Sequence, residues 1–307
     1  MRGSNDIEPM TMHDNQVDIT TATVRTLVDQ QFPEWRDKEI RRLDSSGTVN
    51  TLFRIGDDLS ARFPLRLADF ETTRKDLERE ARASAALAKV SPFPAPEPVA
   101  LGEPGAGYPM PWSVQTWLPG VPASEADPSA SVSFALDLAA LISALRKADT
   151  EGRHFKGDGR GGALTDHDEW MEECFEKSEG LVDVSTLRDL WSRLRALPRV
   201  GEDVMNHGDL IPGNLLVNAG RLCGVLDTGN FGPADPALDL VSAWHSLERE
   251  PREVLQRELA CDGLEWQRGK AWAFAQAMGL VWYYVESNPV MSAMGRRTLE
   301  RIQESMR

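Results

Sequence analysis

Apolar positions along the chain switch between helical and strand period several times, and the switches mark its elements. Asp18 to Phe32 predicts an amphipathic helix, with Val24, Leu27, Val28 and Phe32 on one side and Thr20 or Thr21 as its cap. A small-residue loop then leads into a strand across Leu43 to Ile55, and Gly56-Asp57-Asp58 turns the chain into Leu59 to Phe63. There Leu59, Ala61 and Phe63 alternate toward a core while Arg62 points to the other face. Phe70 to Val90 is rich in strong helix formers, with Leu77, Ala81, Ala85 and Ala88 on one stripe. The four prolines from Pro92 to Pro98 make an extended connector, and Pro111 to Gly120 reads as a strand running into a turn.

The second part of the chain is helical by pattern. Phe134, Leu138, Leu141 and Leu145 space a helix over Ser131 to Asp149. Gly152 to Gly162 holds five glycines with Arg153 and Arg160, and is expected to be a mobile surface loop. Over Asp166 to Glu179, Glu169, Glu172, Glu173 and Glu176 share a helical face. Leu264 to Glu286 is apolar nearly all round, with Trp272, Phe274, Met278, Val281, Trp282 and Val285, so it is expected to be a core helix. Asn288-Pro289 ends it, and a short charged helix closes the chain. The fold class is therefore α+β, with a small antiparallel-sheet lobe and a larger, mainly helical one. The expected division is a disordered leader over 1–17, an N-terminal lobe over 18–118 and a C-terminal lobe over 119–307.

One stretch carries chemistry. In His207-Gly208-Asp209-Leu210-Ile211-Pro212-Gly213-Asn214 an Asp and an Asn stand five residues apart, and Asp227 follows a short hairpin. Kinases hold a base and a magnesium-binding pair in this arrangement. Asn214 to Val217 and Leu222 to Leu226 are apolar runs joined by Asn218-Ala219-Gly220-Arg221. If Val217 pairs with Leu222, Asn214 falls opposite Val225 and Asp227 lies just beyond, so the two oxygens can share one ion. Magnesium takes hard oxygens and one or two protein groups, which an amide and a carboxylate supply. Asp209 is then left to accept a hydroxyl proton.

The run from His207 to Asn214, with Asp227 and the following Gly232-Pro233-Ala234-Asp235-Pro236-Ala237-Leu238-Asp239-Leu240, resembles the aminoglycoside phosphotransferase family, whose members share the protein-kinase-like fold. The resemblance implies that Asp209 is the catalytic base, with His207 in the same catalytic set, and that Asn214 and Asp227 bind Mg2+. It also implies a nucleotide site for ATP or GTP. Ser46 and Gly47 would lie over the nucleotide, Arg62 would grip its phosphates in place of the usual Lys, and Glu80 would pair with that cation. Arg66 is a competing candidate for the phosphate contact. Backbone groups of Thr116, Trp117 and Leu118 at the hinge would bond the purine. Thr228-Gly229 after Asp227 departs from the Phe-Gly of protein kinases and points away from protein substrates.

Composition agrees with that picture and narrows it. A chain of 307 residues with 41% hydrophobic content can bury a large core. It has no run of about 18 apolar residues and no apolar signal core in its first thirty, so a cytoplasmic product is expected. Met1-Arg2-Gly3-Ser4 looks like an expression leader, with Met10 or Met12 as the natural start. Cys174, Cys223 and Cys261 are odd in number and far apart, which fits neither a disulfide framework nor a zinc site. The net charge of −14 disfavours nucleic acid and anionic membrane and draws in cationic ligands. The Glu169 to Glu176 face, Asp235, Asp239 and Glu248 are expected to offer carboxylates to a polyamine.

The expected function is phosphorylation of a small, cationic hydroxyl acceptor, with an aminoglycoside-type antibiotic as the leading substrate. The alternatives are a kinase of another hydroxyl metabolite or a macrolide, and a nucleotide-binding scaffold without turnover. The intact Asp209, Asn214 and Asp227 argue against the scaffold. No motif bears on oligomeric state.

Overall fold

The computed structural model describes residues 17–43, 49–157, 159–199 and 201–306. Ser46, Gly47 and all of the expected leader except Val17 lie outside them. The chain divides into two compact units, one running through Glu78 and adding Pro98–Trp117, the other holding Arg79–Glu97 and Leu118–Arg307.

The first unit has α1 (Thr21–Gln31), β1 (Ile40–Leu43), β2 (Asn50–Ile55), β3 (Leu59–Pro64), the start of α2 (Phe70–Val90), β4 (Pro98–Gly102) and β5 (Trp112–Thr116). Its five strands form an antiparallel sheet in the order β1-β2-β3-β5-β4. The predicted alternation holds, since Phe53, Ile55, Ala61 and Phe63 are fully buried. Phe63 stacks on Trp112 at 4.7 Å and meets Phe53 edge-on at 5.6 Å, so one aromatic column ties the central strands together. Thr20 caps α1 by accepting from the Thr23 N–H. Val24, Leu27 and Val28 of that helix are wholly buried, and together contribute roughly 5–9 kcal/mol of transfer free energy before entropy is subtracted.

Helix α2 has its predicted bounds but not its predicted stripe. Thr73, Leu77, Ser84 and Leu87 are the buried positions, while Ala81, Ala85 and Ala88 are half-buried. An alanine gains little from burial, so the seam follows the leucines, and Leu87 displaces the row onto the neighbouring positions.

The second unit continues with β6 (Val121–Pro122), α3 (Ala123–Ala126), α4 (Val132–Arg146), α5 (Asp168–Lys177), α6 (Val184–Leu194), β7 (Val204–Asn206), β8 (Leu215–Asn218), β9 (Arg221–Val225), β10 (Gly232–Ala234), α7 (Val241–Ser246), α8 (Arg249–Glu258), α9 (Gly263–Tyr283) and α10 (Pro289–Glu304). Its core is built on α4 and α9, whose Phe134, Leu138, Leu145, Trp272, Phe274 and Met278 have no exposure. Trp191 of α6 stacks on Phe274 at 5.8 Å. Helix α9 ends at Tyr283, three residues short of the predicted Glu286, and leaves Tyr283 and Val285 exposed. Among the described residues no helix is long and apolar enough to cross a membrane.

Candidate active site

Strands β8 and β9 form the predicted hairpin, but with a different register near its open end. Asn218 pairs with Arg221 and Val217 with Leu222; beyond them Leu216 pairs with Gly224 and Leu215 with Val225, leaving Cys223 as an extra residue. This bulge moves Asn214 from the expected place opposite Val225. Its carbonyl instead accepts from the Leu226 N–H at 2.8 Å, one residue from Asp227. The turn needs only two residues, Ala219 and Gly220, both at positive φ of 49° and 73°, the twist that suits a tight hairpin. Buried Asp137 of α4 holds the hairpin by accepting from Arg221 Nε and Nη2, each at 2.6 Å, and from the Leu222 N–H at 3.1 Å.

The loop before β8 is fixed from beneath. Asp239, 1% exposed, accepts from the N–H groups of His207 at 2.8 Å and Gly208 at 2.9 Å. Burial pushes its carboxyl up, opposed by the hydrogen bonds from those two amides. The fully buried His207 bonds Leu226 O through Nε2 at 2.9 Å and the Asp209 N–H through Nδ1 at 3.2 Å. A carbonyl only accepts and an amide N–H only donates, so Nε2 carries the proton and the ring is neutral. Both ring nitrogens are therefore committed to holding the loop against the hairpin.

Asp209 is partly exposed at 21% of its side chain and is gripped on both oxygens. The Asn214 Nδ2 group donates to its carbonyl at 2.9 Å and to Oδ2 at 3.1 Å. Oδ1 accepts from Gln276 Nε2 at 2.7 Å and from Arg160 Nη2 at 2.8 Å. Asp227 adopts left-handed backbone, φ 53° and ψ 51°, uncommon for a residue with a side chain and frequent at functional sites.

Arg160 and Gln276 were absent from the sequence-derived set. The glycine-rich segment is exposed at Gly152, Arg153, His154, Lys156, Gly157 and Gly159, as expected of a surface loop, but its end is docked: Gly161 and Gly162 are buried, and Gly161 O accepts from the Asp235 N–H at 2.9 Å. Helix α9 is core, as its pattern predicts, yet it also supplies Gln276. A polar side chain in the middle of an apolar helix was the signal for it, because a buried amide needs a partner. For Arg160 the sequence holds no such signal.

Several predicted acceptor carboxylates serve the fold instead. Asp235, 1% exposed, accepts from Arg268 Nε and Trp272 Nε1, each at 2.9 Å, and Asp239 is spent on the loop. Glu248 pairs with Arg297 at 2.7 Å and Arg301 at 2.8 Å, and Glu172 pairs with Arg188. Glu169, Glu173 and Glu176 of α5 remain exposed.

Glu80 packs within the second unit against Gly229, where an added Cβ would stand 2.8 Å from Glu80 Cγ and 3.0 Å from its Cβ. Gly229→Ala is expected to cost about 1–3 kcal/mol and to disturb the turn after Asp227. Chemical denaturation together with nucleotide KM checks this, and a variant equal to wild type in both would show that the Glu80 side chain moves aside freely. In the first unit Arg62 sits half-buried within β3, paired through its backbone with Leu52 and Ser113, whereas Arg66 is exposed beyond the strand. Thr116 ends β5 opposite Leu59. The Trp117 N–H already donates to Asp58 O at 2.7 Å, and Arg54 lies over the indole at 4.8 Å. No hydrogen bond from Leu118 is formed among the described residues.

Residues 39–272, more than half of the chain, match the model of the phosphotransferase enzyme family. The chain belongs to that family. An aminoglycoside 3'-phosphotransferase of Escherichia coli is 33% identical to this chain over 95 residues, 28% of this chain and 35% of the relative. One from Streptomyces fradiae is 32% identical over 159 residues, 48% of this chain and 57% of the relative. The chain thus spans about a third to just over half the length of these curated relatives. Among solved structures, the GDP complex of wild-type aminoglycoside 2'-phosphotransferase-IIIa superposes with a TM-score of 0.68 at 17% identity, covering 94% of this chain and all of that one. The macrolide 2'-phosphotransferase of Brachybacterium faecium gives 0.61 at 19% identity, covering 89% and 97%. The chain therefore has the expected α+β, kinase-like fold.

Proposed function

We propose that this phosphotransferase moves the γ-phosphoryl group of ATP or GTP to a hydroxyl of an aminoglycoside-type antibiotic. The observation that carries the reading is how Asn214 is held. Its NH2 is spent on Asp209, so the group it can offer an ion is its Oδ1, and its backbone carbonyl accepts from the Leu226 N–H, one residue before Asp227. Asn214 and Asp227 then act as the ligands of Mg2+, and Asp209 as the base for the acceptor hydroxyl.

The donor set fits magnesium. An amide oxygen and a carboxylate are hard ligands, and magnesium takes one or two such protein groups and completes its shell with phosphate and water. Bound there, magnesium neutralises charge on the transferring phosphoryl group. His207 is a positioning residue in this reading, since both its nitrogens are occupied. Arg62, Glu80, Thr116, Trp117 and Leu118 form the nucleotide set, with Ser46 and Gly47. Arg62 is preferred over Arg66 because it is anchored within the sheet, and its loss is expected to raise the nucleotide KM. The same rise from Arg66→Ala alone would move the role there.

The aminoglycoside reading is supported by the names of the relatives, by solved complexes of similar proteins with kanamycin and gentamicin, and by the charge of −14. Macrolide acceptors are the second reading, because a macrolide phosphotransferase and the gentamicin-bound protein share the same TM-score of 0.61 with this chain.

A coupled nucleotide-turnover screen of aminoglycosides, macrolides and small amino alcohols tests the proposal. Turnover with an aminoglycoside is expected. Its KM should rise several-fold between about 50 mM and about 500 mM salt at little-changed kcat, as the screening length falls toward the few-Å range. Glu169→Gln with Glu173→Gln should raise KM in the same way at low salt. Turnover confined to macrolides, or a flat salt response with a preference for neutral hydroxyl compounds, would remove the aminoglycoside reading.

A further inference from the structure

Asp209 is contacted from two distant parts of the second unit as well as from its own loop. Gln276 is 8% exposed on α9, and its amide nitrogen donates to Oδ1 at 2.7 Å. Its Oε1 must then accept, and His245 Nε2 lies 3.2 Å away. His245, 4% exposed on α7, meets the Thr298 hydroxyl of α10 through Nδ1 at 2.9 Å. Burial pushes this imidazole down to about 3; its Nε2 faces Gln276 Oε1, and its Nδ1 faces the Thr298 hydroxyl, which donates to Met294 O at 2.8 Å. Three helices thus contribute to one line of hydrogen bonds ending on Oδ1.

The other contact comes from Arg160, whose Nη2 reaches the same oxygen at 2.8 Å. Its backbone is steadied by the neighbouring Gly161 O, which accepts from Asp235 N–H. The distribution is unequal. Among the described residues Oδ1 takes two donors and Oδ2 only one, the Asn214 amide at 3.1 Å. A carboxylate oxygen has about two lone-pair sites, so Oδ1 is filled and Oδ2 keeps one open.

We propose that Gln276, backed by His245 and Thr298, and Arg160 are positioning residues that lock the Asp209 side chain and present Oδ2 to the acceptor hydroxyl. The inference rests on the reading of Asp209 as the base. In the transfer, Oδ2 takes the hydroxyl proton as the acceptor oxygen bonds to the γ-phosphorus. The bond from that phosphorus to the bridging oxygen breaks, and its electron pair leaves with the nucleoside diphosphate.

The test is a double-mutant cycle on the full chain, with Gln276→Met and Arg160→Gln each made in the wild type and in Asp209→Asn. In the wild type each is expected to lower kcat about 10-fold or more, the scale of a hydrogen bond to a charged group, with nucleotide KM changed by less than about 2-fold. In Asp209→Asn the same changes should move the residual kcat by less than about 2-fold, because they act through the missing carboxylate. A purely structural role would instead add its full loss in both backgrounds, and that result overturns the proposal. Arg160 is partly exposed, so Arg160→Gln decides the matter if Gln276→Met fails to fold. An inactive Asp209→Asn beside wild-type kcat in both variants would overturn the positioning alone. Wild-type turnover in Asp209→Asn would remove the base, and the proposal with it.

Discussion

Asp209→Asn is expected to fold like the wild type and to keep its nucleotide KM while kcat falls by at least about 10²-fold, the lower end of general-base contributions. The substitution keeps the shape of a side chain whose surroundings are pre-built: Asn214, Gln276 and Arg160 all approach it at 2.7–3.1 Å. What it removes is the capacity to take the hydroxyl proton. Asp227→Ala should behave differently, raising the nucleotide KM as well, because that residue is assigned to the metal. Steady-state kinetics with each active acceptor checks both. Turnover by Asp209→Asn at the wild-type rate would take the base assignment away.

Asp235→Ala is expected to cost about 3–5 kcal/mol of stability, the usual loss when one partner of a buried ion pair is deleted. Asp235 and Arg268 are each 1% exposed, and the carboxylate also accepts from Trp272 and from the Ala237 N–H at 3.0 Å. Without it the guanidinium keeps Leu197 O at 2.7 Å and stays charged in the core. The companion variant, Asp235→Leu with Arg268→Met, should recover a large part of the loss because no lone charge remains buried. Thermal and denaturant unfolding of the two variants decides the point. An unchanged midpoint in Asp235→Ala would mean that water reaches Arg268.

The chain's own order of residues determined what depends on near neighbours. Helices α1, α2, α4 and α9 follow from apolar period, and the hairpin follows from two apolar runs joined by the turn formers of Asn218 to Arg221, since helix and hairpin close within a few residues. The same locality makes the Asp209 to Asn214 spacing readable, because the Asn214 amide folds back on its own loop. One step of even this local geometry was hidden: the bulge at Cys223 shifts the register by one residue, and no property of Cys223 announces it.

Tertiary structure decided what lies far apart along the chain. Arg160 precedes Asp209 by 49 residues and Gln276 follows it by 67, and only the docking of a loop and a core helix brings them to one oxygen. It also decided the fate of the acidic residues. Asp235, Asp239 and Glu248 look alike in the sequence, yet packing buried the first two against donors and gave Glu248 two arginines, while Glu169 and Glu173 stayed at the surface. A carboxylate's chemistry is set by the dielectric and the donors around it, and for these groups both come from residues that no local pattern connects to them.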